Sequence, residues 1–208
     1  MRRSLNRLLV VILIPILALA ATSCGNVQGR TAMPETNDLG SVFDAHVAHE
    51  FVEHDVEATM RTMVPEPYLL HVPTMTGGLG AAEVRSFYAS RFVGKWPADT
   101  KVNQVSRTVG REQVVDELLM SFTHDVPLDF MLPGVAPTGK RVELPVVVVM
   151  KFQGGKILHE HIYWDQASLL AQVGLLDPNV LPVTGADQAH ALRDTSVPLN
   201  RIMDKFHR

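Results

Sequence analysis

The residues best suited to chemistry lie on the segment Lys156 to Trp164, which is predicted to be the last strand. His159, His161 and Tyr163 alternate along it, and Asp165 follows in the same phase, so all four would share one side of the strand. Imidazole and carboxylate groups that line a cavity can transfer protons near neutral pH. The sequence therefore predicts acid–base residues on this side. The alternative is a solvated sheet face, with Asp165 only capping a helix.

The pair His159-x-His161 also invites comparison with metal sites. Zinc needs at least three protein ligands with supporting contacts, and His124 is the only obvious candidate on a strand for the third ligand. We therefore predict no metal and no cofactor. No Gly-x-Ser-x-Gly turn offers a serine nucleophile, and the single cysteine, Cys24, lies in the N-terminal segment.

A predicted helix from Ser41 to Asp55 carries apolar residues on one side and polar residues on the other. The apolar stripe consists of Phe43, Val47, Ala48, Phe51 and Val52. The polar side gathers His46, His49, Glu50 and Glu53. His49 and His54 are five residues apart, not the four of a zinc-binding helix, so we expect a solvent-exposed face.

The elements that position these residues follow an α+β order. Helices are predicted at 41–55, 56–63 and 81–93, a short strand at 68–72, and a turn at 76–80. Longer strands follow at 101–109, 112–124, 142–152 and 156–164, and then a helix at 166–173. Helices followed by a run of antiparallel strands predict an α+β fold.

The connection from 125 to 141 is long for a hairpin and contains apolar residues, among them Phe130 and Met131. Loops of this length are often lids or binding loops. It could cover an apolar pocket, or it could pack at the domain edge or form a dimer contact. The sequence leaves these alternatives open.

The N-terminus has the features of an export signal. Arg2, Arg3 and Arg7 precede the apolar run Leu8 to Ala21, which is too short for a typical membrane-spanning helix. The following residues up to Cys24 resemble the bacterial lipobox, whose cysteine is lipidated; an ordinary secretory signal is the alternative. We predict a signal peptide at 1–24, a flexible tether at 25–40, a domain at 41–177 and an appendage at 178–208, held at the extracytoplasmic face of the membrane by a lipid on Cys24.

Composition narrows the range of partners. Hydrophobic residues make up 46% of the 208-residue chain, and the formal net charge is −3. Lysine and arginine cluster only within the first seven residues. Nucleic-acid binding needs a concentrated basic surface, so we predict no nucleic-acid partner.

Three segments resemble the SnoaL-like polyketide cyclases and ester cyclases. They are Phe122-Thr123-His124, the loop Ala136-Pro137-Thr138-Gly139-Lys140-Arg141, and the run from Gly155-Lys156-Ile157 through His161 to Leu169-Leu170-Ala171-Gln172-Val173-Gly174. The resemblance spans roughly 42–176. It implies a cone-shaped, nuclear transport factor 2-like fold, in which a curved sheet surrounds a deep pocket.

The family's catalytic residues are not all present. The resemblance places its aspartate at Tyr163 and its histidine at Val148, so the cyclase mechanism does not transfer. We predict His161 and Asp165 as acid–base groups, Tyr163 as a hydrogen-bond donor, and His124 as a polar group of the pocket wall. The predicted ligand contacts are His159, Val148, Phe122 and Trp164.

Two functions fit the sequence. The first is a pocket for a small, apolar, oxygenated ligand, with cofactor-free chemistry of the cyclase, isomerase or hydrolase kind. The second is a non-catalytic module of the cell envelope that dimerises through its sheet. Fold analogy does not choose between them.

Overall fold

The computed structural model describes residues 38–207. They form a mixed α+β domain built on one six-stranded sheet. The helices are α1 (Leu39–Phe51), α2 (Val56–Arg61), α3 (Gly80–Phe87), which continues as a π-helical turn (Tyr88–Phe92), α4 (Gln166–Gln172), α5 (Asp187–Arg193) and α6 (Arg201–Phe206). The strands are β1 (Met63–His71), β2 (Thr76–Leu79), β3 (Lys101–Val109), β4 (Gln113–Thr123), β5 (Arg141–Gln153) and β6 (Lys156–Trp164).

The sheet order is β2-β1-β6-β5-β4-β3, so the first strands lie beside the last one. All neighbours are antiparallel except β1 and β6, which run parallel. In that pair Tyr68 is opposite His159 and Leu70 is opposite His161. The centre of the sheet therefore brings the N-terminal part of the domain against its last strand.

One face of the sheet, here called the inner face, packs against α1 and α3. The long strand β5 shows why, since its residues alternate between buried and half-buried along almost its whole length. Val146, Val148 and Met150 point inward and join Phe43 of α1 and Val84 of α3 in one apolar core. The opposite side of the sheet is called the outer face.

The sequence places β1 and β2 incorrectly. It predicts a helix to residue 63 and a strand only at 68–72, but β1 begins at Met63. Its pairing with β6 is irregular between Met63 and Tyr68, which leaves room there for Pro65 and Pro67. The predicted turn at 76–80 is largely strand β2, and a Cβ at Gly77 would collide with the carbonyl oxygen of Leu69.

The ends of the domain also differ from expectation. Helix α1 begins at Leu39, two residues before the predicted start at Ser41. Asp38 is its N-cap, because the Asp38 carboxylate accepts from the Gly40 amide. Helix α5 lies against β5, where Arg193 pairs with Glu143. Within residues 38–207 no helix is long and apolar enough to cross a membrane. The predicted signal peptide, Cys24 and most of the tether lie outside the described residues.

Candidate functional site

A narrow cavity of about 50 Å³ lies on the inner face of the sheet, beside α1. Its wall is mostly apolar and includes the rings of Trp96 and Trp164. Three ionisable side chains also line it: Glu50 of α1, His71 of β1 and Glu160 of β6. An apolar pocket with a few convergent polar groups is the usual form of a ligand site.

Glu50 and Glu160 meet at the imidazole of His46, one turn earlier on α1. Nε2 of His46 lies 3.3 Å from Oε1 of Glu50 and 3.5 Å from Oε2 of Glu160. The Tyr88 hydroxyl lies 3.2 Å from the same nitrogen and donates to Oε2 of Glu160 at 3.0 Å. All four side chains are buried. They form one proton network, with two of its members facing the cavity.

Two threonines fix which nitrogen of His46 can change its protonation. The Thr62 hydroxyl donates to the carbonyl oxygen of Thr59 at 2.6 Å, which uses its only hydrogen. Thr62 Oγ1, 2.6 Å from Nδ1 of His46, must therefore accept a hydrogen bond from that nitrogen. Nδ1 keeps its proton, so the proton that comes and goes is on Nε2, between the two carboxyl groups.

His46 and Glu160 form a buried ion pair. Burial opposes a charge on His46, but the Glu50 charge and hydrogen bonds with Glu160 and Glu50 raise the pKa of His46 to about 10. Burial likewise opposes a charge on Glu160, but the hydrogen bond and charge of His46 lower the pKa of Glu160 overall. At neutral pH the imidazole is therefore positive and the Glu160 carboxyl is negative.

Glu50 behaves in the opposite way. Burial raises the pKa of Glu50, and the charge of Glu160 adds to this, against the opposing effect of His46. Oε1 of Glu50 is buried 3.3 Å from Nε2 of His46, whose single proton lies between the two carboxyl groups. Two carboxyl groups whose pKa values are driven apart are suited to act as acid and base. Of the two, Glu50 holds a proton more readily and Glu160 loses one more readily.

His71 supplies a neutral imidazole to the cavity wall. Its ring packs among Phe87, Phe92, Phe130 and Trp164. Burial lowers the pKa of His71 to about 4, against the opposing effects of the Glu160 charge and the Thr76 carbonyl. Since Nδ1 donates to that carbonyl at 3.3 Å, Nε2 has a free lone pair and can accept a hydrogen bond.

The spacing of the network also fits a cation. The ligand atoms of His46, Glu50 and Glu160 lie within 4.8 Å of one another. A cation at this position would replace the proton on Nε2, because an imidazole nitrogen binds a metal only in its deprotonated form. We treat the cluster as a proton network, and the sequence prediction of no metal stays a prediction.

Comparison with known proteins identifies the family. The pattern of the SnoaL-like domain family matches residues 43–160. The chain belongs to the SnoaL-like domain family. No curated protein matches this chain.

Solved structures agree on the fold of this SnoaL-like domain. AclR from Streptomyces galilaeus, a candidate hydroxylase, superposes with a TM-score of 0.53 at 18% identity, over 68% of this chain and 88% of that one. A candidate polyketide cyclase from Acidithiobacillus ferrooxidans gives 0.53 at 18% identity, over 68% and 97%. A Catenulispora acidiphila protein with a ketosteroid isomerase-like fold gives 0.51 at 13% identity, over 65% and 93%. The predicted nuclear transport factor 2-like fold is confirmed.

The orientation predicted for the last strand of the SnoaL-like domain is wrong. Glu160, Ile162 and Trp164 line the cavity. His161 and Tyr163, like His159, are on the outer face, and Tyr163 is 42% exposed. The two imidazoles stack there with their centroids 4.0 Å apart. The predicted acid–base role of His161, the predicted hydrogen-bond donor Tyr163 and the predicted ligand contact of His159 therefore lose their geometric basis.

Asp165 serves as the N-cap of α4 instead of as an acid or base. Its carboxylate accepts from the amides of Ala167 and Ser168 and from the Ser168 hydroxyl at 2.7 Å. Burial would raise the pKa of Asp165, but the hydrogen bonds from Ser168 and Gln188 lower it. This is the capping role that the sequence offered as the alternative.

His124 is buried in the loop after β4 and does not line the cavity. Its Nδ1 lies 3.1 Å from the Thr138 hydroxyl, and its backbone pairs with Thr138, Gly139 and Lys140. Burial lowers the pKa of His124. The predicted place of His124 in the pocket wall is therefore wrong. Its side chain and backbone instead join the two ends of the loop 124–140 by hydrogen bonds.

Of the other three predicted ligand contacts, two line the cavity and one does not. Val148 and Trp164 do line the cavity. Phe122 is fully buried behind it, with its ring 5.8 Å from that of Trp96. In the 125–141 connection, Phe130 and Met131 line the cavity, and the hydroxyls of two threonines of the β1–β2 turn, Thr74 and Thr76, donate to the Phe130 carbonyl. Of the alternatives given for the 125–141 connection, this geometry favours a loop that covers the apolar cavity.

The main residues that sequence analysis missed are His46 and Glu50, which were expected on a solvent-exposed helix face. On a helical projection they lie within about 60° of Phe43, which is buried. Val52, expected in the apolar stripe, is 76% exposed. The signal that could have revealed them is the i, i+4 spacing of a histidine and a glutamate next to the most buried aromatic residue of the helix.

Proposed function

We propose that this protein binds a small, apolar, oxygenated ligand in the inner cavity and transfers protons on it without a cofactor. The observation that carries the proposal is the His46–Glu50–Glu160 network, since Glu50 and Glu160 line an apolar cavity and their pKa values are shifted in opposite directions. Perturbed carboxyl groups in a cavity are typical of sites of catalysis.

The geometry supports a proton shift of the isomerase or cyclase kind. Glu160 accepts a proton from a carbon or hydroxyl of the ligand, while Glu50 donates its proton to an oxygen of the ligand. The two carboxyl groups then exchange protons through Nε2 of His46, which lies between them. Nε2 gives its proton to Glu50 and takes one from Glu160, so the network returns to its starting state.

A generic substrate tests this chemistry before the natural one is known. A carboxylate base in an apolar pocket removes the C3 proton of 5-nitrobenzisoxazole, the N–O bond breaks, and a coloured phenolate forms. We expect the purified protein to accelerate this reaction and Glu160→Gln to lower the rate by about 10²–10⁴-fold. His161→Gln, on the outer face of the same strand, is the matched control. Equal rates for both variants would refute the proposal.

We further propose that the domain is anchored at the extracytoplasmic face of a bacterial membrane by a lipid on Cys24. The proposal rests on the apolar run and the small residues before Cys24, and two acyl chains suffice for stable anchoring. Mass spectrometry of the mature N-terminus should show a diacylated Cys24, and Cys24→Ala should release the protein from membranes. An unmodified N-terminus at another residue would contradict it.

A second candidate function, a dimeric interaction module without catalysis, is favoured by two observations. The cavity is small, and the outer face exposes Tyr163 and Tyr68 beside the stacked histidines. An arginine in the middle of that face would prevent dimerisation. Sedimentation of wild type and Tyr163→Arg separates the functions, because a dimer that dissociates, together with no proton-transfer rate, would favour the module.

A further inference from the structure

A second cavity lies on the other side of the inner cavity's wall. It is an open groove of about 540 Å³ between α1 and residues 94–102. Val47, Phe51, Trp96 and Val102 line both the groove and the inner cavity. The two spaces are therefore separated by a single layer of side chains.

One polar group in this dividing layer has no hydrogen-bond partner among the described residues. The rings of Phe51 and Trp96 lie 5.5 Å apart. The indole N–H of Trp96 is buried without a hydrogen-bond partner, whereas that of Trp164 donates to Gln166 at 2.6 Å. A buried donor without an acceptor is unfavourable. Among the described residues no hydrogen bond holds the Trp96 indole, so packing alone keeps this part of the wall closed.

The groove also accounts for the apolar stripe of α1. Val47, Ala48, Phe51 and Val52 line the groove, and Val52 is largely exposed. Helix α1 buries Phe43, His46 and Glu50 under the sheet instead. Val47 and Phe51 pack against the core and also line the inner cavity, whereas Val52 extends the stripe to the surface. An apolar surface that lies one layer of side chains away from a cavity with polar groups is suited to hold the hydrocarbon part of a ligand.

We infer that the groove is the outer half of the ligand site. The ligand is an elongated, mostly hydrocarbon molecule whose oxygen-bearing end lies by Glu160 and His71, and whose tail passes Phe51 and Trp96 into the groove. This inference rests on the proposed function, which supplies the inner end. The inner cavity alone is smaller than a typical ligand pocket of about 300–1,000 Å³, whereas the two spaces together reach that range.

Two alcohols with the same head group test the inference. Cyclohexanol supplies the head group alone, and 4-heptylcyclohexanol adds a tail that the groove would take. Each methylene group removed from water strengthens binding about fourfold. Ligand-observed NMR with the purified full-length chain should show at least about 100-fold tighter binding of the tailed alcohol.

A pair of variants on α1 locates the tail. Ala48 lines the groove but not the inner cavity, and Ala45, on the same helix, lines neither and is exposed. Ala48→Trp should weaken binding of the tailed alcohol about tenfold or more relative to Ala45→Trp. Binding of cyclohexanol should be the same in both. Thermal melts identify any variant that fails to fold, and Ala98→Trp, in the opposite wall of the groove, then replaces Ala48→Trp.

The outcomes separate the two proposals. Equal binding of the tailed alcohol by the Ala48→Trp and Ala45→Trp variants would overturn the groove as part of the site. Equal binding of cyclohexanol and 4-heptylcyclohexanol by the wild type would overturn it as well. In both cases the proposed inner pocket would remain supported. Failure of the wild type to bind either alcohol would count against the proposed pocket itself and, with it, the groove.

Discussion

The two sides of β6 differ in every property that matters for function. On the inner side, the buried Glu160 accepts a hydrogen bond from Tyr88 and pairs with His46. On the outer side, His159 and His161 stack on each other, and each has a buried nitrogen without a partner. Alternation along a strand shows which residues share a side. Which side faces the cavity is decided by the elements packed on the sheet.

The comparison predicts its largest effect for Glu160. Removing one partner of a buried ion pair leaves an uncompensated charge, and such changes cost about 3–5 kcal/mol. We expect Glu160→Ala to lower the free energy of unfolding by about that amount, as measured by denaturant titration. The outer-side control, His161→Ala, should cost about 1 kcal/mol or less.

The control also shows how this prediction could fail. If His161→Ala destabilised the protein as much as Glu160→Ala, the stacked histidines of the outer side would be an essential part of the core. The two sides of β6 would then contribute equally to the stability of the fold, and the inner network would not be the main source of stability on this strand.

The next largest effect concerns pH and His71. Folding lowers the pKa of His71 from 6.5 to about 4. Between these two pH values the imidazole is therefore mostly protonated in the unfolded chain and mostly neutral in the folded protein. The stability contributed by the neutral imidazole is complete above pH 6.5 and is lost as the pH falls towards 4. The loss amounts to about 3 kcal/mol.

Stability curves from pH 4 to 7 check this prediction. Carboxyl groups titrate in the same pH range and also change the stability. The quantity to measure is therefore the difference in the free energy of unfolding between wild type and His71→Gln. That difference should shrink by about 3 kcal/mol between pH 7 and pH 4. A constant difference would mean that the pKa of His71 is the same in the folded and unfolded chain, and the neutral imidazole proposed for the cavity wall below pH 6.5 would be contradicted.

The fold was predictable because it depends on patterns that extend over many residues. The strands from Lys101 onward follow alternation and turn signals, and β5 alternates between buried and half-buried residues along almost its whole length. The region from Met63 to Leu79 was not predictable in this way. Pro65 and Pro67 argue against a strand locally, and only the pairing of β1 with β2 and β6 makes one.

The site was less predictable because it depends on contacts between distant segments. His46, Tyr88 and Glu160 come from three separate parts of the chain. The resemblance to the family draws attention to Tyr163 and Val148, while the proton network uses Glu160 and two residues of α1. A buried histidine or glutamate looks like a surface residue in a sequence until its partners are known.

Asp165 offers a smaller test at the end of the outer side. As the N-cap of α4 it accepts from two backbone amides, and loss of such a cap typically costs about 1 kcal/mol. We expect Asp165→Ala to lower the free energy of unfolding by about 1 kcal/mol and Asp165→Asn by less, since asparagine also caps helices. A loss of proton transfer by both variants without a change in stability would instead restore Asp165 as a catalytic group.

The smallest effect is expected at Tyr163, the residue at which the family resemblance places the catalytic aspartate. Its side chain is on the outer face, 42% exposed, and does not line the cavity. Tyr163→Phe removes only the hydroxyl, so stability should change by no more than about 0.5 kcal/mol. The rate with 5-nitrobenzisoxazole should stay within about twofold of wild type, because the proposed base is on the opposite side of the strand. A tenfold loss would place the chemistry on the outer side and reverse the comparison.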